Sequence, residues 1–174
     1  MRNRSEELLK TALEMEIKGK AFYDKATATC KSELGREIFA MLAKDEVVHV
    51  ERIKNIYNSL ETTNKWTSDW QKISKAPTPI NTIFKDLVAK HKTTTKADTS
   101  DLEALDVGID LETKAVSFYE NQLKSSNDPL EKVFSEKMIA EEKSHLAVLI
   151  DTKLYLENPA AYYVEMERPG FDRG

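Results

Sequence analysis

Residues 35–53 read GREIFAMLAKDEVVHVERI, and one turn within this stretch decides the fold. Ile38, Phe39, Leu42, Ala43, Val50 and Ile53 recur every three or four residues, the spacing of an apolar stripe on an α-helix. Glu46 and His49 fall on that same stripe. A buried carboxylate beside a buried imidazole is costly unless something compensates it, and a metal ion would compensate both. One such pair alone reads as a satisfied core histidine.

The pair is not alone. Glu142 and His145 repeat it in EEKSH, again three residues apart on a stripe with Met138, Ile139, Leu146 and Leu149. Glu46 and Glu142 differ by 96 positions, as do His49 and His145, Glu16 and Glu112, Phe22 and Phe118, and Tyr23 and Tyr119. The helix-cap candidates Ser32 and Asp128 obey the same shift. The second half of the chain is therefore a diverged copy of the first. Each copy keeps a Glu on one helix, Glu-x-x-His on the next, and a Tyr two turns past the first Glu.

Working outward, the pattern predicts four long helices. The first spans roughly 5–28 with Ser5 as N-cap, and the second roughly 33–60 after Ser32. The third opens on SDLE, residues 100–103, with Ser100 and Glu103 as a capping box, and runs to about Leu123. The fourth opens on DPLE, with Asp128 as N-cap and Pro129 at the first helical position, and runs to about Leu156. Short turns at 29–32 and 124–128 make two antiparallel hairpins. The connection between them, residues 61–99, is long enough to run the length of a bundle. Its TPINTIFKDLVAKH segment (78–91) is periodic enough for a short helix, Trp66 and Trp70 read as packing anchors, and KTTTKADT (92–99) reads as a solvated linker. The expected fold is all-α: a four-helix bundle of two hairpins over residues 1–156, with a short C-terminal extension, 157–174, packing on the bundle or on a partner.

In such a bundle one Glu from each of two helices and Glu-x-x-His from each of the other two form a carboxylate-bridged metal pair. Glu16, Glu46, His49, Glu112, Glu142 and His145 fill those six places. Four carboxylates neutralise two divalent ions, and oxygen with imidazole donors suits iron or manganese. The sequence resembles the rubrerythrin branch of the ferritin-like superfamily through EIKGKAFY (16–23), REIFAMLAKDEVVH (36–49), ETKAVSFY (112–119) and EKMIAEEKSH (136–145). The resemblance implies two iron ions at those six residues, with manganese or zinc as substitutes. It further implies reduction of hydrogen peroxide or O₂, with electrons from an external donor such as a rubredoxin-like or flavin protein. Two departures stand out. The chain has no Cys-x-x-Cys pairs of a rubredoxin domain. It also has Ala115, with Gly19 at the repeat-related position, where rubrerythrins carry an additional ligand Glu. The six-residue set thus also resembles bacterioferritin-type ferroxidase centres, so iron handling and a metal-binding scaffold without turnover stay open as alternatives.

Around these residues, Asp45 and Glu141 are related by the 96-residue shift, and each could accept a hydrogen bond from the His of the opposite hairpin. Tyr23 and Tyr119 are placed to donate to a ligand carboxylate or to act as electron donors. Gly19, Gly108 and Ala115 either leave room for oxygen or peroxide or allow close helix packing. His91, in the crossover, has no matching partner and stays outside the site.

Composition agrees with this reading. In 174 residues, 32% are charged and 40% apolar, and the net charge of −4 is mild. Basic residues are interleaved with acidic ones, which argues against nucleic acid. No apolar run is long enough to span a membrane and nothing resembles a secretory signal, so a cytoplasmic location is expected. Cys30, the single cysteine, excludes a thiolate cage and reads as a small residue near a helix end. Val47, Val48 and Ile56, just off the metal stripe, suggest an additional buried face, hence a homodimer. The long crossover would permit hairpins to be exchanged within it.

Overall fold

Caps and turns set where the helices begin and end in the computed structural model, which describes residues 2–73, 80–91 and 97–166. Helix α1 (Arg2–Thr29) starts one turn before the expected cap. Ser5 lies inside the helix, buried, with its hydroxyl donating to Glu131 at 3.4 Å and accepting from the Trp66 indole at 3.3 Å. Ser32 caps α2 (Glu33–Thr63) by accepting from the Gly35 N–H at 3.2 Å. This helix stops at Asn64, whose left-handed φ of 58° lets its N–H return to Leu60. A 3₁₀ turn (Asp69–Ile73) and α3 (Ile80–Lys90) follow in the crossover. The expected box at Ser100 and Glu103 does not form. Asp98 caps α4 (Thr99–Ser125), accepting from the Asp101 N–H, and the Ser100 hydroxyl donates to the Asp98 carboxylate at 2.6 Å. Either side chain is a good cap, and the longer-reaching carboxylate takes the position two residues earlier. Asp128 caps α5 (Pro129–Glu157) with bonds from the N–H groups of Leu130 and Glu131. Helix α6 (Pro159–Met166) closes the described chain, and residues 167–174 lie outside the described residues.

Helix α1 pairs with α2 and α4 with α5; between these hairpins α1 faces α4 and α2 faces α5. The result is an all-α, ferritin-like four-helix bundle with no strand among the described residues. Its apolar core is split in two along the bundle axis. One cluster holds Leu8, Leu9 and Ala12 of α1, Ile53, Ile56 and Leu60 of α2, Tyr119 of α4, and Phe134 and Met138 of α5. The other holds Tyr23 and Ala26, then Leu34, Ile38, Phe39, Leu42 and Ala43, and Leu105 with Val148 and Leu149. Between the clusters α1 buries Glu16, α2 Glu46 and His49, α4 Glu112, and α5 Glu142 and His145, which places these side chains at the waist.

The crossover touches both ends. Trp66 and Trp70 pack against Phe134 in the first cluster, with ring centroids 6.0 and 5.4 Å away. Phe84 and Val88 of α3 lie in the second cluster, where Tyr162 of α6 meets Phe84 and Tyr155. Residues 92–96 of the expected linker lie outside the described residues. One expectation needs correction. Ile56 is fully buried in the chain's own core, in the cluster that also holds the crossover tryptophans, and does not contribute to an additional face. Val47 is exposed and Val48 half-buried.

Candidate metal centre

The waist of the bundle holds six ionisable side chains, none more than 3% exposed: Glu16, Glu46, His49, Glu112, Glu142 and His145. Glu16, Glu46 and Glu142 sit one helical turn after the buried Ala12, Leu42 and Met138, and His49, Glu112 and His145 one turn before the buried Ile53, Ala115 and Leu149, so the periodicity that builds the core also carries these groups inward. They fall into two groups that share one member. Donor atoms of Glu46, Glu112, Glu142 and His145 all lie within 4.8 Å of one another, and so do those of Glu16, His49 and Glu142. His49 Nδ1 is 3.3 Å from Glu16, 3.4 Å from Glu46 and 3.1 Å from Glu142. His145 Nδ1 is 3.1 Å from Glu142 and 3.8 Å from both Glu46 and Glu112. The two imidazoles stack at 5.5 Å.

Behind this group stands a set of contacts that cross between hairpins. His49 Nε2 is 3.0 Å from Glu141, and His145 Nε2 is 3.2 Å from Asp45. An imidazole that donates Nε2–H to such an acid keeps Nδ1 as the atom facing inward, the tautomer an ion requires. Tyr119 donates to Glu16 at 2.5 Å, and Tyr23 donates to Glu112. The sequence reading missed Arg52. It is 2% exposed, forks onto Glu141 with both terminal nitrogens, and lies over the Trp70 ring at 5.9 Å. The signal was present: Arg52 follows His49 by three residues, next to Ile53 on the apolar stripe.

Burial sets the electrostatics. It raises the Glu46 carboxyl well above its ordinary range, helped by the neighbouring Glu16. It does the same to Glu112, helped by Glu142. Burial alone would disfavour charged imidazoles, but the Glu142 charge and bonds to Glu141, Glu142 and Glu16 hold His49 well above its usual value. Asp45, Glu142 and Glu112 hold His145 up likewise. Glu142 goes the other way: burial pushes it up, but the two imidazoles outweigh this and keep it ionised. Burial, with Glu112 or Glu16 alongside, keeps both tyrosines neutral donors. Free of metal, the centre is a proton-sharing cluster.

Two of its oxygens are poorly served. Glu46 Oε2 and Glu142 Oε1 are buried without a well-formed hydrogen bond, and both crowd the one His49 Nδ1, at 3.4 and 3.1 Å. Buried acceptors without partners are costly, and a cation among them would satisfy both. The donor set, carboxylate oxygens with imidazole and no thiolate, fits two divalent ions of the iron or manganese kind. Cys30 lies apart at the α1–α2 turn, where burial and then Asp101 push its thiol up to about 12.

The small residues divide by role. A Cβ on Gly19 would meet Glu46 Cδ at 3.6 Å, so this position borders the centre. A Cβ on Gly108 would meet Leu149 at 3.2 Å and Tyr23 at 3.5 Å, so Gly108 serves helix packing. His91 stays outside, 3.3 Å from Glu33 and 3.0 Å from Glu37, and ties the crossover to α2.

A family model described as Rubrerythrin matches residues 7–153, a span that contains all six waist residues. No curated protein and no solved structure matches the chain.

Proposed function

The chain belongs to the rubrerythrin family, and on that premise we propose that it is a non-haem di-iron oxidoreductase reducing hydrogen peroxide, or O₂, with electrons from an external donor. One observation carries the proposal: six buried Glu and His side chains converge, with two carboxylate oxygens left without a well-formed hydrogen bond. Glu16 and His49 would hold one ion, Glu112 and His145 the other, with Glu46 and Glu142 between them. When bound, an iron pair supplies two electrons, going from ferrous to ferric, which with two protons convert one peroxide to two waters. The chain's own residues do the rest. Glu141 and Asp45 orient the imidazoles, Tyr119 and Tyr23 fix Glu16 and Glu112 from behind, and the two apolar clusters exclude bulk water. An external donor, rubredoxin-like or flavin-containing, would re-reduce the centre.

Gly19 and Ala115, where an additional acid would stand, favour a second reading as a ferroxidase that handles iron. Anaerobic loading with Fe(II) and stopped-flow mixing separate the two. Faster reaction with peroxide than with O₂, and about two irons retained per chain, support the peroxidase. Many irons retained per chain support the ferroxidase.

A homodimer remains part of the proposal, on the exposed Val47 beside the metal stripe. One chain brings both hairpins to the waist. Exchange of hairpins between chains is tested by co-refolding Glu46→Ala with Glu142→Ala: recovered activity supports exchange, and none in proven heterodimers rejects it.

A further inference from the structure

The waist has an approximate twofold relation, and it fails most clearly behind the imidazoles. Contacts related by the 96-residue shift occur in pairs: His49–Glu141 with His145–Asp45, and Tyr119–Glu16 with Tyr23–Glu112. The acids behind the imidazoles break the pattern. Glu141 receives both terminal nitrogens of Arg52, Nη2 at 3.3 Å, and the Lys137 ammonium at 2.9 Å. Arg52 itself is clamped, fully buried against the Trp70 ring. The shift puts Val148 opposite Arg52 and Met41 opposite Lys137, so the other half has neither cation. Asp45 is shorter by one methylene, its side chain is 45% exposed, and His145 is its polar partner among the described residues.

We propose that Arg52 makes the two ion positions inequivalent: the ion on Glu16 and His49 is retained, and the ion on Glu112 and His145 exchanges past Asp45. The inference rests on the two-metal reading of the waist. Two physical effects agree on it. The first is order. A metal-bound imidazole is held by the acid that accepts its other N–H, and a bidentate guanidinium leaves that acid no freedom to let go. Arg52 thus acts as a positioning residue, through Glu141, on His49. Asp45 stands in water, which competes for its hydrogen bond to His145 and lets the ring swing. The second effect is charge. A cation leaving or arriving behind His49 meets Arg52 and Lys137, which repel it. At the other end it meets a solvent-exposed carboxylate, which guides it.

Chelator release tests this with cobalt(II) as the probe. The 174-residue chain is loaded with two equivalents and challenged with excess EDTA, and the visible absorption of the bound ion is followed. The expected result is two phases of equal amplitude, with rates about tenfold or more apart, the range seen when such outer contacts are lost. Arg52→Met removes the fork but keeps a long apolar side chain over Trp70, and should bring the slow phase close to the fast one. Arg52→Lys keeps the charge without the planar fork and should accelerate the slow phase too; it carries the test if the Met variant does not fold. Asp45→Asn should alter the fast phase alone. A single phase in the native protein overturns the proposal, as does a slow phase unchanged by the Arg52 variants or an Asp45→Asn effect on both phases. A native chain that fails to hold two cobalt ions overturns the two-metal reading beneath it.

Discussion

Tyr119 and Glu16 belong to different hairpins, yet the tyrosine hydroxyl donates to the carboxylate across 2.5 Å, and Tyr23 makes the reciprocal contact to Glu112. Each carboxylate is therefore held from behind by the opposite hairpin. Tyr119→Phe leaves a buried carboxylate oxygen short of its donor, which should cost the metal-free protein about 1–3 kcal/mol. Urea unfolding in the presence of a chelator measures this. Tyr23→Phe should cost about the same, because the 96-residue repeat makes the two contacts equivalent. An unchanged midpoint in both variants contradicts the cross-hairpin contacts.

Metal binding should release protons and strengthen with pH. Glu46, Glu112, His49 and His145 hold protons in the metal-free fold to higher pH than free side chains do, and an ion must displace them. The same shifts set the sign for stability. A group whose folded pKa is raised favours the fold below its unfolded value, and that contribution is lost as pH rises through the folded one. The unfolded values are about 4.3 for Glu and about 6.5 for His. The metal-free protein should therefore lose stability from about pH 5 upward through neutrality, and the metal-loaded protein should not. Melting temperatures with and without Mn(II) at pH 6 and pH 8 test this; a metal-induced increment no larger at pH 8 contradicts it.

Glu142 belongs to both donor groups and Glu112 to one. Glu142→Gln should therefore remove both ions from a chain that otherwise holds about two, and Glu112→Gln should leave the ion on Glu16 and His49. Metal analysis after anaerobic loading and desalting reads the difference. Equal loss in the two variants would refute the shared role of Glu142.

At the far end of the bundle, a Cβ on Gly35 would sit 2.6 Å from Cys30 Sγ. Gly35→Ala should destabilise by about 1–3 kcal/mol through this overlap, although alanine ordinarily favours a helix. Adding Cys30→Ala removes the sulfur and should recover most of the loss in a double-mutant cycle of urea unfolding. Additive effects would mean that the backbone shifts instead.

The waist was legible in the sequence because two independent periodicities meet there. The 3.6-residue stripe puts Glu46 and His49 inward, and the 96-residue repeat brings Glu142 and His145 to join them. Arg52 escaped notice because arginine on an apolar stripe ordinarily extends its charge to water. Its burial depends on Glu141 and Trp70, both remote in sequence. Ile56 was misread for a related reason. A helix of 31 residues has more than one apolar face, and periodicity does not say that this one shares a cluster with the tryptophans of the crossover. Caps were legible where a single candidate stood, at Ser32 and Asp128. At Asp98 and Ser100 two competent side chains were two residues apart, and the choice belonged to the loop.

The central claim is that one chain's Glu16, Glu46, His49, Glu112, Glu142 and His145 enclose two metal ions. Anomalous diffraction at the iron edge, from crystals of protein loaded with Fe(II), tests it most directly. Two adjacent peaks are expected at the waist, one beside Glu16 and His49 and the other beside Glu112 and His145. A single peak, iron bound elsewhere, or an iron-free waist would contradict it.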